Sequence, residues 1–260
     1  PTTSKFLKYD GTNFVWADPT GIVSAQSATY TITTTDGVST VLVTTGSTNR
    51  TVNLPAAASS TNRVIRIKKV DSGTGKVTID GNASETIDGD TTKDMVLQYE
   101  AMTLQCDGSN WHILDRQGIV TKWTSYTPTG SFSTNSTYTG YWRRNGDNIE
   151  SVVSIAFAGA PNSVSATLNM PLSYTIDTSK IPGTSTEVSY GTVKATDVGT
   201  RGYVGGSVVP ASTTVLSLYF LTADSTYGYQ TTVQQNVPFT FGNTDLLVIN
   251  YSVPCTQFAL

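Results

Sequence analysis

The sequence predicts an all-β protein, and three observations carry that prediction. Roughly a quarter of the 260 residues are Ser or Thr, and with Val, Ile and Tyr they form a strand-building palette. The 22 glycines, many in Asp-Gly, Asn-Gly or Gly-Gly pairs, cut the chain into short runs. No window of about 11 to 18 residues repeats its apolar positions at helical spacing.

Taken in order, residues 1–22 read as a stem. The stretch LKYDGTNFVWAD, Leu7 to Asp18, is a hairpin pattern around Asp10-Gly11, and Asp18-Pro19-Thr20-Gly21 is a turn-rich exit. So short a stem buries little alone. Three copies together can cover Phe6, Leu7, Phe14 and Trp16, so a homotrimer is expected.

Residues 23–119 read as a β module of short strands. TYTITTTDGVSTVLV gives two alternating runs around Asp36-Gly37. The run from Asn62 to Asp90 gives three more, around Asp71-Ser72-Gly73, Asp80-Gly81 and Asp88-Gly89. The module closes on LQCDGSNWHILD, Leu104 to Asp115, which holds the only histidine and one of the two cysteines. Its grammar is that of the stem hairpin: Leu, Asp-Gly, a hydroxyl residue, Asn and an aromatic. His112 falls where the stem has Val15, and Cys106 where it has Tyr9. A two-residue type I′ turn is expected at the bend, with His112 and Cys106 in variable slots rather than in a metal or catalytic site.

Asp115-Arg116-Gln117-Gly118 reads as a polar linker. Residues 120–260 then read as a distal β-sandwich, jelly-roll-like, with longer strands at Val152 to Phe157, Ser163 to Met170, Val215 to Thr222 and Leu246 to Val253. WRRNGDNIESVV places a hairpin at Asn145-Gly146. In the last strand Leu247, Ile249, Tyr251 and Val253 share one face.

Two segments resemble known proteins. The order LPAA…IKK.D…VTIDG..SETIDG…L…Y….L..DG.NW, from Leu54 to Leu114, resembles a module of bacteriophage tail-fibre and related virion proteins. YTPTGSFSTNSTYTGYWRRNGDNIESVV and the residues after it, to Gly183, resemble the start of carboxy-terminal domains on similar fibres. The closing strand NVPFTFGNTDLLVINYSVP is similar in style to trimeric jelly rolls of the complement and tumour-necrosis-factor type. The resemblance implies a trimeric, elongated virion component, joined to other virion proteins through its stem, whose distal domain binds a host-surface glycan. It carries over no catalytic residue, because the matched motifs are turns and core positions. A capsid or tail decoration protein, or a polysaccharide depolymerase, are the alternatives.

The chemistry of the residues favours binding over catalysis. A glycosidase needs two carboxylates flanking the bond, and beyond the turn acids only Glu150 and Glu187 stand out. There is no G-x-S-x-G elbow, and His112 is the only base a triad could use. Asp88, Asp90 and Asp94 lack the spacing of a calcium loop, and no cofactor or metal is expected. In NRVIRIKKV the charges Arg66 and Lys68 alternate outward from a strand. With a net charge of −3, nucleic acid is not an expected partner. The longest apolar runs, such as Leu246 to Ile249, are too short to insert in a membrane. Trp142, Tyr190, Tyr203, Tyr227 and Tyr229 lie beside glycines or polar residues, and are the expected glycan-stacking residues, on loops of the distal domain.

Overall fold

The computed structural model describes residues 6–9, 11–17, 21–182, 188–223 and 228–258. The protein is all-β, as its composition predicts, and among the described residues helical content is confined to short 3₁₀ turns. It forms two compact units, Pro1–Gly118 and Ile119–Leu260.

The first unit opens with β1 (Phe6–Tyr9) and β2 (Phe14–Ala17), an antiparallel pair joined through residues 10–13. Phe14 is 71% exposed; the side chains of Phe6, Leu7 and Trp16 lie outside the described set.

The chain then coils. β3 (Ile22–Gln26), β5 (Val38–Val43) and β7 (Val64–Lys69) lie side by side and parallel in one sheet. β4 (Tyr30–Thr31), β6 (Arg50–Asn53) and β8 (Val77–Asp80) lie parallel in a second. Successive strands alternate between the sheets, so each return to a parallel neighbour runs through the opposite sheet. That path replaces the helix of an ordinary parallel crossover. The product is a short solenoid of three two-strand rungs. Val41, Val43, Ile65 and Ile67 from one sheet, and Val52, Val77 and Ile79 from the other, belong to one buried core. Fully burying each such side chain contributes about 1.5–3 kcal/mol.

The Asp-Gly signals therefore do two different jobs. Asp36 does not close a hairpin: it turns the corner from β4 to β5, accepting from the Thr33 and Val38 N–H groups and pairing with Arg63 at 2.8 Å. Asp71 ties one rung's corner to the next, accepting from the N–H groups of Thr45, Gly46 and Gly73. Corners stack so closely that a Cβ on Gly73 would lie 2.0 Å from the Gly46 carbonyl oxygen. Lys69, fully buried, reaches the same carboxylate at 2.8 Å. Burial alone raises the Asp71 pKa, but the Lys69 ammonium and the corner N–H groups outweigh it and hold the carboxyl well below the usual range.

Antiparallel strands end the solenoid. β9 (Thr92–Met95) pairs with β8, β10 (Ala101–Cys106) with β7, and β11 (Trp111–Gln117) with β10. The four-residue loop 107–110 differs from the expected type I′ turn. Asp107 Oδ1 accepts from Ser109 and Asn110 N–H groups at 2.7 Å each, and only Gly108 takes positive φ, at +98°. The expected linker Asp115-Arg116-Gln117 is the end of β11.

The second unit is one antiparallel sheet of nine strands. These are β12 (Thr124–Tyr126), β13 (Ser136–Asn145), β14 (Asn148–Ala158), β15 (Thr167–Asn169), β16 (Gly191–Asp197), β17 (Arg201–Pro210), β18 (Val215–Ala223), β19 (Gly228–Thr232) and β20 (Asn243–Pro254). They run in the order β12-β13-β14-β20-β16-β17-β18-β15, with β19 also on β18. Beyond β12, Asn169 donates its N–H to the Thr129 carbonyl (2.8 Å) and Ser131 donates to Thr167 (3.2 Å). Residues 129–131 thereby join the far end of the sheet, which rolls its apolar face inward. The ladders do not divide these strands into the two layers a sandwich would have. Ile149, Val153 and Ile155 on β14, and Leu247, Ile249 and Val253 on β20, are fully buried on that inner face. Between Asn145 and Asn148 the bend is Gly146-Asp147, one residue beyond the expected position.

Candidate functional site

The described members of the expected aromatic set do not all converge on one site. Trp142 is a correction: it is only 6% exposed, points into the core from β13, and meets Tyr174 edge-on at 5.6 Å. The alternation of β13 dictates this, since Gly140 and Arg144 on either side are buried too. Tyr190 lies directly before β16 and is held from both sides, donating its N–H to Val208 and accepting from Ser252. Tyr203 is on β17, not on a loop, and stacks on Phe239 at 5.0 Å. Tyr203 and Val208 lie five positions apart along β17, about 16 Å of strand. Tyr229 is half-exposed on β19, opposite Thr222. Tyr227 lies outside the described residues, as does Glu187.

Glu150 is not free for acid-base work. Its carboxylate accepts from the Asn145 amide at 2.6 Å and from Arg143 Nε at 2.7 Å, and those partners hold its pKa below the usual value despite partial burial. Asp90 and Asp94 pair with Lys93 and Lys76, and Asp88 accepts from the Ile113 N–H. Among the described residues no three His, Cys, Asp or Glu side chains converge as metal ligands. Both thiols are buried and free, and burial pushes Cys255 up to about 11.

A concave site lies elsewhere on the second unit, where the rolled sheet closes. It is a groove of about 360 Å³, lined by Tyr126, Thr127, Thr129, Asn169 to Ser173 and Thr214. Local structure brings these segments together. Gly130 bridges to Leu168, so close that a Cβ there would lie 2.2 Å from the Thr167 carbonyl oxygen. Met170 donates its N–H to the Thr214 carbonyl at 2.9 Å. The turn that follows is strained: Leu172 (φ +51°) and Ser173 (φ +61°) are consecutive non-glycine residues in the left-handed region. Such residues cost about 1–2 kcal/mol each, and they collect at sites where function holds them.

The groove has an apolar floor and a polar rim. Met170 and Pro171 are buried and Tyr126 is half-buried, while Thr127, Thr129, Asn169, Ser173 and Thr214 are exposed. The Ser151 hydroxyl donates to the Tyr141 carbonyl and so accepts from the Tyr126 hydroxyl at 3.0 Å, which fixes the ring. Burial raises the Tyr126 pKa, against that hydrogen bond, and keeps the phenol neutral. The Asn169 amide donates to Thr129 Oγ1 at 2.9 Å, leaving its carbonyl oxygen as an acceptor. None of the lining residues is charged.

Neither the models of known protein families nor the sequences of curated proteins match this chain.

Proposed function

We propose that the chain is a non-enzymatic segment of a bacteriophage virion fibre, a homotrimer that attaches by its stem to other virion proteins and binds glycan on the host surface. The single observation that carries the recognition role is the groove of the second unit, with its apolar floor and its uncharged hydroxyl and amide rim. Small-molecule sites combine these two features. The run of fibre-like motifs from Leu54 to Leu114, and a first unit built as a capped solenoid, support the fibre assignment. A depolymerase is less well supported, because Glu150 is committed to Arg143 and Asn145.

Three weak sites on one particle gain avidity from their effective concentration, so single-site affinity need only be modest. Two measurements test the reading. Light scattering of the full chain is expected to give three times the chain mass, and a monomer at micromolar concentration overturns the trimer. A fluorescent fusion of the full chain is expected to label the cell surface of a susceptible bacterium and to lose that label after periodate oxidation of surface sugars. Labelling that survives periodate but not protease overturns the glycan.

A further inference from the structure

We propose that the groove between Tyr126 and Thr214 binds one neutral pyranose residue and discriminates against anionic sugars, an inference that rests on the surface-recognition reading above. Three features of the groove point to that class of ligand.

The first is the match between its two surfaces and a sugar ring. A pyranose has an apolar C–H face and an equatorial belt of hydroxyls that both donate and accept. The floor offers Met170, Pro171 and the fixed ring of Tyr126 to the former, and the rim offers groups of equal versatility to the latter. Among the described residues the hydroxyls of Thr127, Ser173 and Thr214 have no protein partner, and each can donate and accept. The second is that main-chain groups beside the groove are already committed. The Asn169 N–H goes to Thr129, the Met170 N–H to Thr214 and the Tyr174 N–H to Pro171. A peptide strand seeking backbone pairing would find those donors taken, whereas a sugar uses the side-chain rim. The third is charge. A carboxylate or phosphate is held by Arg, Lys or a convergent set of N–H groups, and the lining supplies no cation. An anionic sugar would lose hydration at the rim without gaining a charged partner.

The left-handed turn Leu172-Ser173 has a defined part in this geometry. It forms the lip that sets the Ser173 hydroxyl beside the floor, and Leu172 itself is 63% exposed. A strained lip in the segment that lines the groove together with Tyr126 and Thr214 is a positional device for the rim.

The test uses the full chain with methyl glycosides of glucose, galactose, mannose and N-acetylglucosamine, and with N-acetylneuraminic acid as the anionic probe, read by saturation-transfer NMR. At least one neutral glycoside is expected to bind with a dissociation constant of ~1 mM, and the anionic probe roughly tenfold more weakly or worse. Thr214→Arg, an exposed position whose change leaves the core alone, is expected to abolish the signal. Thr214→Val, which removes only the hydroxyl, is expected to weaken it several-fold, with an unchanged melting temperature for both. Saturation transfer that is indifferent to both Thr214 variants, or as strong for the anionic probe, overturns the inference. Fusion labelling of cells that survives in Thr214→Arg moves recognition to another surface while leaving the fibre reading intact. Periodate-sensitive labelling that disappears with the same variant supports both.

Discussion

The hairpins LKYDGTNFVWAD and LQCDGSNWHILD share a pattern and a pairing, yet their aromatics meet opposite fates. Tyr9 faces Phe14 in the first, and Cys106 faces Trp111 in the second, each across a four-residue loop. Phe14 is 71% exposed; Trp111 is fully buried. The difference lies in the neighbours. β1 and β2 form a sheet of two strands, whereas β10 lies against β7 and the second hairpin closes the five-stranded sheet of the solenoid. A two-stranded hairpin has little independent stability. The same local grammar is thus an end cap in one context and a two-stranded ribbon in the other, and tertiary surroundings decide which.

The largest effect expected from this contrast is at Trp111. Trp111→Ala should destabilise the first unit by about 3–5 kcal/mol, seen as a large fall in the denaturation midpoint, because a fully enclosed ring leaves a cavity. A change under about 1 kcal/mol would mean that the hairpin does not seal the core.

Next come the paired glycines. Gly108 (φ +98°) and Gly11 (φ +104°) occupy the same loop position, but a Cβ on Gly108 would lie 2.8 Å from Thr61 Oγ1, whereas Gly11 has open space around it. Gly108→Val should therefore cost roughly 1–3 kcal/mol of global stability. Gly11→Val should leave the melting transition in place and show only as faster amide exchange in residues 6–17. Equal shifts in melting temperature would show the two loops to be equally integrated.

The pH dependence of the second hairpin sharpens the comparison further, since the first has Val15 where it has His112. The imidazole lies 2.8 Å from Asp107 and 3.5 Å from Asp88, and the Asp107 hydrogen bond above all raises its pKa. A raised histidine stabilises the fold fully below its unfolded pKa of about 6.5, and that contribution is lost as pH climbs through the folded value. Melting temperature should accordingly fall as pH rises from about 6.5 through the raised value, and His112→Val should flatten that slope. A variant with the same slope would place the titrating group elsewhere. The smallest effect is at Phe14. Phe14→Ser is expected to change the melting temperature of an isolated chain by no more than ~0.5 kcal/mol equivalent, and a larger loss that depends on protein concentration would reveal a copy of the chain packed on it.

Much of the second unit was legible because its long strands alternate. β14, β18 and β20 cover the runs expected at Val152 to Phe157, Val215 to Thr222 and Leu246 to Val253, and Leu247, Ile249, Tyr251 and Val253 do share the buried face. The run Ser163 to Met170 gives a strand only at Thr167–Asn169. The parallel rungs were not legible. An Asp-Gly pair favours positive φ at a bend but says nothing about whether the next strand returns beside the last one or crosses to another sheet. The Gly-rich stretch at Gly199 to Ser207 gives no alternation that would mark a strand, yet most of it lies in β17. Gly205 is a kink at φ +101°, and Gly206 is needed because a Cβ there would lie 2.6 Å from Val193 Cβ, so both are strand glycines of β17. The groove was hidden more deeply, since it joins residues 126–129, 169–173 and 214, and hydroxyl residues give no local signal in a chain so rich in them. Charge was misleading too: Lys69 and Arg144 are buried, each by way of acceptors that sequence order does not reveal.

Stacked rungs also make length a countable quantity. The segment from Val38 to Arg63 is one complete coil, a strand in each sheet with both corners, and its flanks are parallel strands of the same kind. Duplicating it would lift the later strands of the first unit by one inter-strand spacing, ~4.8 Å, while every existing ladder found an equivalent partner. Growth by this route proceeds in whole steps, for a fractional insertion would break the Asp71 contact to the corner below. A first unit so built would grow only in whole rungs, with its antiparallel cap unaltered.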